Sequence, residues 1–209
     1  MPTVYVGSTV EECRATCEGC PLLRDKVCYA QYGTPFMGFM SMVRSKFKRN
    51  PTNPAEALDQ AHPYARGCRL GALGDPSALG VRMLAWIRRE ATARGLRIVG
   101  YTHHWRKLRS PTYRRNLMAS CDDLSQLAEA EAAGWRPAGI IPYNTTDEDL
   151  ARLAAVGARL CPAQAAERKG RTKTCNQCLL CDPTNPAWGK SLRAILFLEH
   201  GPRARKAAN

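Results

Sequence analysis

Cysteines supply the first chemistry in this sequence. Cys13, Cys17 and Cys20 follow the spacing C-x3-C-x2-C, with Cys28 a little further on. Three thiolates on one compact stretch can hold three irons of a [4Fe–4S] cluster and leave the fourth iron open to a small-molecule ligand. If Cys28 joins them, the site closes around a structural zinc or a fully ligated cluster. A second group is Cys161, Cys175, Cys178 and Cys181, with C-x2-C-x2-C at its heart. Four thiolates suit tetrahedral zinc or an auxiliary cluster, and spacing does not choose between them. Cysteines two or three residues apart are better placed to share a metal than to pair with each other. No charged-then-apolar leader follows Met1 and no apolar run approaches the roughly 18 residues of a membrane span, so a cytoplasmic, reducing location is expected.

Other residues could act beside a metal. Asp75 lies in Gly74-Asp75-Pro76-Ser77, where it is either a turn or helix cap or a working carboxylate. His103 and His104 follow a strand-like run, and alternation along a strand predicts that at most one of them faces the site. His103, Asp122 and Asn144 are the candidates for lining a substrate space. Cys121 and Cys68 read as core or rim thiols, since a nucleophilic thiol needs a base and the histidines are His62, His103, His104 and His200. Met37, Met40 and Met42, near Phe36, Phe39 and Phe47, read as packing.

These residues must be carried by a repeating scaffold. Short apolar runs alternate with amphipathic stretches, the signature of a βα repeat. Strands are expected near Thr3–Gly7, Cys68–Leu73, Leu96–Tyr101, Asn116–Ala119, Gly139–Pro142, Ala158–Leu160 and Ala194–Leu198. Leu79–Arg94 should be a helix with Leu79, Met83, Leu84, Ile87 and Ala91 on one face and Gly95 as its stop. Asp122 or Asp123 should cap a helix ending at Gly134. Thr146 should cap another by accepting from the backbone N–H of Asp149. The expected fold class is α/β, a partial (β/α) barrel of parallel strands with both cysteine stretches as insertions. One domain over residues 1–200 is expected, with cysteine loops at 11–35 and 161–190, a Met-rich helix over Phe36–Phe47 and a basic tail from Gly201 to Asn209. Sites in such folds gather at the carboxyl ends of the strands, where every expected strand is followed by polar or metal-binding residues.

The formal net charge of +13, from 31 Lys and Arg against 18 Asp and Glu, favours a polyanionic partner, with nucleic acid or a nucleotide the first expectation. Trp105 could stack a base while Arg106 and Lys107 meet phosphates, and Arg168, Lys169 and Arg171 form a second basic loop.

At C-x3-C-x2-C after the first strand, the chain resembles the radical S-adenosylmethionine (SAM) superfamily. Leu73-Gly74-Asp75-Pro76 resembles that family's Gly-Gly-Glu-Pro motif at the end of the second strand, and Cys28-Tyr29-Ala30 resembles a Cys-Tyr-Ala found in some members. Similar segments occur in poorly characterised phage-encoded proteins, which would place the chain in a host cytoplasm. The resemblance spans residues 3 to 160. It implies a [4Fe–4S] cluster on Cys13, Cys17 and Cys20, with SAM held by Gly74, Asp75, Ser77 and Asn144. It departs from the family at Gly19, where an aromatic is usual, and at Leu73. Two rival readings stand beside it. One is a queuine-type base transglycosylase using Asp75 with a zinc site; the other is a non-catalytic, zinc-stabilised nucleic-acid-binding protein.

Overall fold

The structure, a computed structural model, describes residues 1–199 apart from 2, 8, 25–27, 29, 31–33, 45–53, 60–63 and 190–191. Tyr29, Phe47, His62, His200, the tail from Gly201 and the Met42 side chain therefore lie outside the described residues.

In chain order the elements are β1 (Thr3–Val4), α1 (Val10–Ala15), α2 (Pro21–Arg24), α3 (Thr34–Arg44), α4 (Pro54–Asp59) and β2 (Gly67–Leu70). A 3-10 turn over Pro76–Leu79 leads into α5 (Gly80–Ala93), β3 (Arg97–Val99), β4 (Tyr101–Thr102), α6 (Pro111–Asn116), β5 (Met118–Cys121) and α7 (Ser125–Ala132). The chain continues through β6 (Pro137–Ile141), α8 (Asp147–Ala155), β7 (Ala158–Leu160), α9 (Pro162–Glu167), α10 (Cys175–Cys178) and β8 (Ala194–Leu198).

Every strand pairing is parallel. Three strands run in the order β1-β2-β3 and five in the order β4-β5-β6-β8-β7. The two sheets meet at Gly100, between β3 and β4. A Cβ there would come within 2.8 Å of Leu117 Cδ2 and 3.2 Å of Leu70 Cβ, so only glycine permits this approach. The result is an open α/β arrangement, the expected partial barrel. Its strand order departs from chain order once, where β8 inserts between β6 and β7. Register follows from pairs such as Cys68 with Ile98 and Gly139 with Leu196.

Alternation along the strands separates two faces. Helix-side residues Cys68, Leu70, Ile98, Ala119 and Cys121 pack against Leu84, Ile87 and Ala91 of α5 and Ala130 of α7. Leu150 and Leu153 of α8 cover Ile141, Ala194 and Leu196 in the same way. Burying Leu84 and Ile87 contributes roughly 1.5–3 kcal/mol each. Met83, expected on the same stripe, is 39% exposed. On the opposite face Met118, Ala138, Ile195, Tyr101 and Phe197 pack with Cys161, Cys181, Trp188 and Leu192, so the segment after α10 crosses the face that α5, α7 and α8 do not cover.

That segment is pinned by Asp182, which is 1% exposed. Its carboxylate accepts from Arg88 at 3.3 Å, Arg97 at 3.4 Å and the backbone N–H of Thr184 at 2.9 Å. Asp182→Ala leaves these donors without their acceptor and unties the segment from α5 and β3. It is expected to cost about 2–3 kcal/mol, read as a lower urea midpoint at unchanged slope.

Candidate functional site

The carboxyl ends of β1, β2 and β4 converge on the first cysteine stretch. Val10–Ala15 is helical because Thr9 caps it, accepting from the backbone N–H of Glu12 at 3.1 Å. Cys13 therefore sits on a helix and not on a loop. It is fully buried against Phe39 and Leu73, and its thiol donates to the Gly7 carbonyl at 3.7 Å. Burial, then the negative charge of Glu12, raises that thiol to about 11. Met40 packs in the same cluster, whereas Met37 is exposed.

Beyond α1 the chain turns through Cys17 and Cys20, with Cys20 N–H donating to the Cys17 carbonyl at 3.0 Å. The Cys17 thiol is pushed up to about 12 by burial, then by the Asp75 carboxylate, and further by the Cys20 and Cys28 thiols. Asp75, Cys20 and Cys28 thus all act electrostatically on Cys17, while Cys13 packs in the core with Phe39 and Leu73. The sequence resemblance named a different trio.

Thr16 latches this turn to the end of β2. Its hydroxyl donates to the Cys13 carbonyl at 2.7 Å and accepts from the Asp75 N–H at 2.8 Å. Gly74, at φ +84°, makes the approach possible: a Cβ would lie 2.5 Å from the Val6 carbonyl oxygen and 2.9 Å from Thr16 Oγ1. Asp75 is 5% exposed. One carboxylate oxygen accepts from Ser77 N–H at 2.9 Å, and the other from the Thr102 hydroxyl and His103 N–H, each at 3.0 Å.

His103 and His104 both face this rim. The strand ends at Thr102, so alternation no longer applies, contrary to the sequence expectation. His103 Nδ1 lies 3.6 Å from Cys20 Sγ, and its Nε2 lies 3.1 Å from Ser120 Oγ. Asp122 Oδ1 is 3.2 Å from the same Nε2, off the axis of an aligned hydrogen bond, so that contact is one of charge. Burial opposes the charged ring, but Asp122 and Cys20 outweigh it and raise His103 to about 10. His104 Nε2 donates to the Glu18 carbonyl at 3.0 Å, and Ser77 Oγ stands 3.4 Å from its Nδ1. Thr16 and Ser120 were not picked out as site residues from sequence, and His104 entered only as the alternative to His103. Ser120 and His104 lie in strand-end segments that pointed to this rim, whereas nothing in the sequence marked Thr16. Asn144 is exposed after β6.

The second group lies elsewhere. Cys161 is buried at the end of β7, where it precedes Pro162 of α9, and Gln164 fastens that helix by donating to and accepting from the Leu198 backbone at 3.2 and 3.0 Å. Cys175 and Cys178 are the ends of α10, which carries a Thr174–Gln177 capping box, and Cys181 follows. Among the described residues no three His, Cys, Asp or Glu side chains already stand as a preformed ligand set for a single ion.

Two nucleic-acid expectations are corrected. Trp105 is 2% exposed, its indole N–H donates to the Ser120 carbonyl at 3.1 Å, and Arg106 lies 4.1 Å over its ring, so no face is offered to a base. Arg106 is itself paired with Glu129 at 2.8 and 2.5 Å. Arg168 pairs with Asp147 at 2.6 Å, while Lys107, Lys169 and Arg171 are exposed. Cys68 and Cys121 are core thiols, each fully buried and raised to about 12, chiefly by burial. Both are expected to resist iodoacetamide in the native protein and to react after unfolding, as mass spectrometry would register.

No protein-family model, curated protein or solved structure matches the chain. Fold and site together define an open, parallel α/β protein with a thiol-rich rim. Among the described residues no helix is long and apolar enough to cross a membrane.

Proposed function

We propose that this chain is an iron–sulfur enzyme of radical SAM type in which Cys17, Cys20 and Cys28, with Cys13 set aside, hold the cluster. The observation that carries the reading is the turn bearing Cys17 and Cys20, latched through Thr16 to Asp75 at the carboxyl end of parallel strands, with Cys28 acting electrostatically on Cys17. The donor set fits: three thiolates satisfy three irons and leave the fourth for SAM. Turning these thiols onto a shared centre requires side-chain rotation, since a preformed single-ion site is not built there. A cluster bound here would supply one-electron cleavage of SAM.

The chain's own residues supply the setting. Thr16 and Gly74 hold the cysteine turn against β2. The Gly74 and Ser77 region offers backbone to a SAM amino group, with Asp75 organising it through its three hydrogen bonds. His103, held between Cys20, Ser120 and Asp122, stands where a substrate would enter beside the cluster. The substrate class that suits a formal charge of +13 is nucleic acid or a nucleotide, met by exposed cations such as Lys107, Lys169 and Arg171.

Anaerobic reconstitution tests the reading. Brown, iron- and sulfide-bearing protein that releases 5′-deoxyadenosine from SAM on reduction is the expected result. Protein that takes up iron and sulfide but never cleaves SAM, or takes up neither, would sink it.

A further inference from the structure

We propose that Cys161, Cys175, Cys178 and Cys181 bind a second [4Fe–4S] cluster, closed by four thiolates and lying on the sheet face opposite α5, α7 and α8. The inference does not depend on the first site.

Spacing provides the first argument. Three thiolates in C-x2-C-x2-C reach three irons of a cube from one short turn, and a remote cysteine followed by proline completes the ligation. Cys175, Cys178 and Cys181 form that run, and Cys161-Pro162 is the remote partner. Structural zinc sites more often draw paired cysteines from two separate knuckles. Here three of the four ligands come from a single turn.

Geometry provides the second. Cys161 and Cys181 belong to one packed group with Tyr101, Met118 and Trp188, although 20 positions separate them in sequence. Cys175 and Cys178 occupy the single turn of α10, which contacts α9 just after Cys161. Leu179 then takes φ 54°, the left-handed conformation that a branched side chain rarely adopts; among the described residues no other non-glycine has a positive φ. This reversal returns the chain so that Cys181 joins Cys161. The strain is held by packing, since Leu179 is buried where Gly67 leaves room for its methyl group.

Burial provides the third: Cys161 is 7% exposed, and Tyr101, Met118 and Trp188 wall it off together with Cys181. With all four irons ligated, none is left for SAM or substrate.

The test uses the full chain with Cys17, Cys20 and Cys28 all changed to Ser, reconstituted anaerobically with iron and sulfide. About four irons and four sulfides per chain are expected, with a reduced-state EPR signal that SAM does not alter. Adding Cys178→Ser should remove both. Zinc in place of iron, no metal at all, or iron retained after Cys178→Ser would overturn the proposal. Should the triple variant prove insoluble, wild-type protein decides. A SAM-insensitive EPR component lost on Cys178→Ser supports the second cluster, and a spectrum that shifts entirely with SAM rejects it. If the first-site reading alone is wrong, wild-type protein carries about four irons, all SAM-insensitive and all lost on Cys178→Ser.

Discussion

Changing Cys28 to Ser is expected to abolish 5′-deoxyadenosine formation and to remove the SAM-responsive iron, whereas Cys13→Ala leaves both in place. Each substitution removes one thiol, and the two thiols differ in setting. Cys28, like Cys20, raises the Cys17 thiol electrostatically. Cys13 faces Phe39 and Leu73, with its thiol on the Gly7 carbonyl. Losing a cluster ligand removes the whole activity, a drop of several orders of magnitude. Losing the buried Cys13 sulfur removes a small apolar volume and a weak hydrogen bond, roughly 1–2 kcal/mol of stability. Iron and sulfide analysis beside a SAM-cleavage assay reads both effects. Retained cleavage in Cys28→Ser with loss in Cys13→Ala would favour the C-x3-C-x2-C trio as the ligands and refute the proposed one.

The difference between these two cysteines marks where sequence reading stops. Spacing counts ligands that could meet, but orientation depends on where a helix ends. Cys13 and Cys17 would share a face if α1 continued, yet the helix ends at Ala15, two residues short of Cys17. The same limit explains His103 and His104, whose placement depends on the strand stopping at Thr102. Elements with strong local signals were legible. Ala158–Leu160 and Ala194–Leu198 form strands over the expected bounds, and Thr146 caps α8 by accepting from Asp149 N–H at 3.1 Å. Strand order was not legible: alternation assigns Ile195 and Leu196 to opposite faces, but it carries no information on which neighbours β8 pairs with. Basic residues were misleading for a related reason. Arg106 and Arg168 have partners distant in sequence, Glu129 and Asp147, so their charge is not free for phosphate.

The second large effect is expected at Asp75, and it separates a structural carboxylate from a nucleophilic one. A nucleophile must present an oxygen to substrate, and its removal abolishes turnover while the fold persists. Asp75 is buried, and its two oxygens already accept from Ser77 N–H, the Thr102 hydroxyl and His103 N–H. Asp75→Ala strands three buried donors. At about 1–3 kcal/mol for each unsatisfied group, partly relieved by entering water, the expected loss is roughly 3–4 kcal/mol. Asp75→Asn keeps one carbonyl oxygen but turns an N–H toward His103 N–H, which cannot reverse its role; the Thr102 hydroxyl can turn and accept. About half the loss should remain. Chemical denaturation of the three proteins measures this ladder. Equal stability across the series, with base exchange lost only in the variants, would instead support the transglycosylase chemistry. The ladder also bears on the cysteines: Asp75 N–H is held by Thr16, so loosening the Gly74-Asp75 turn releases the segment carrying Cys17 and Cys20. Cluster occupancy should therefore fall in parallel with stability, because one turn supports both.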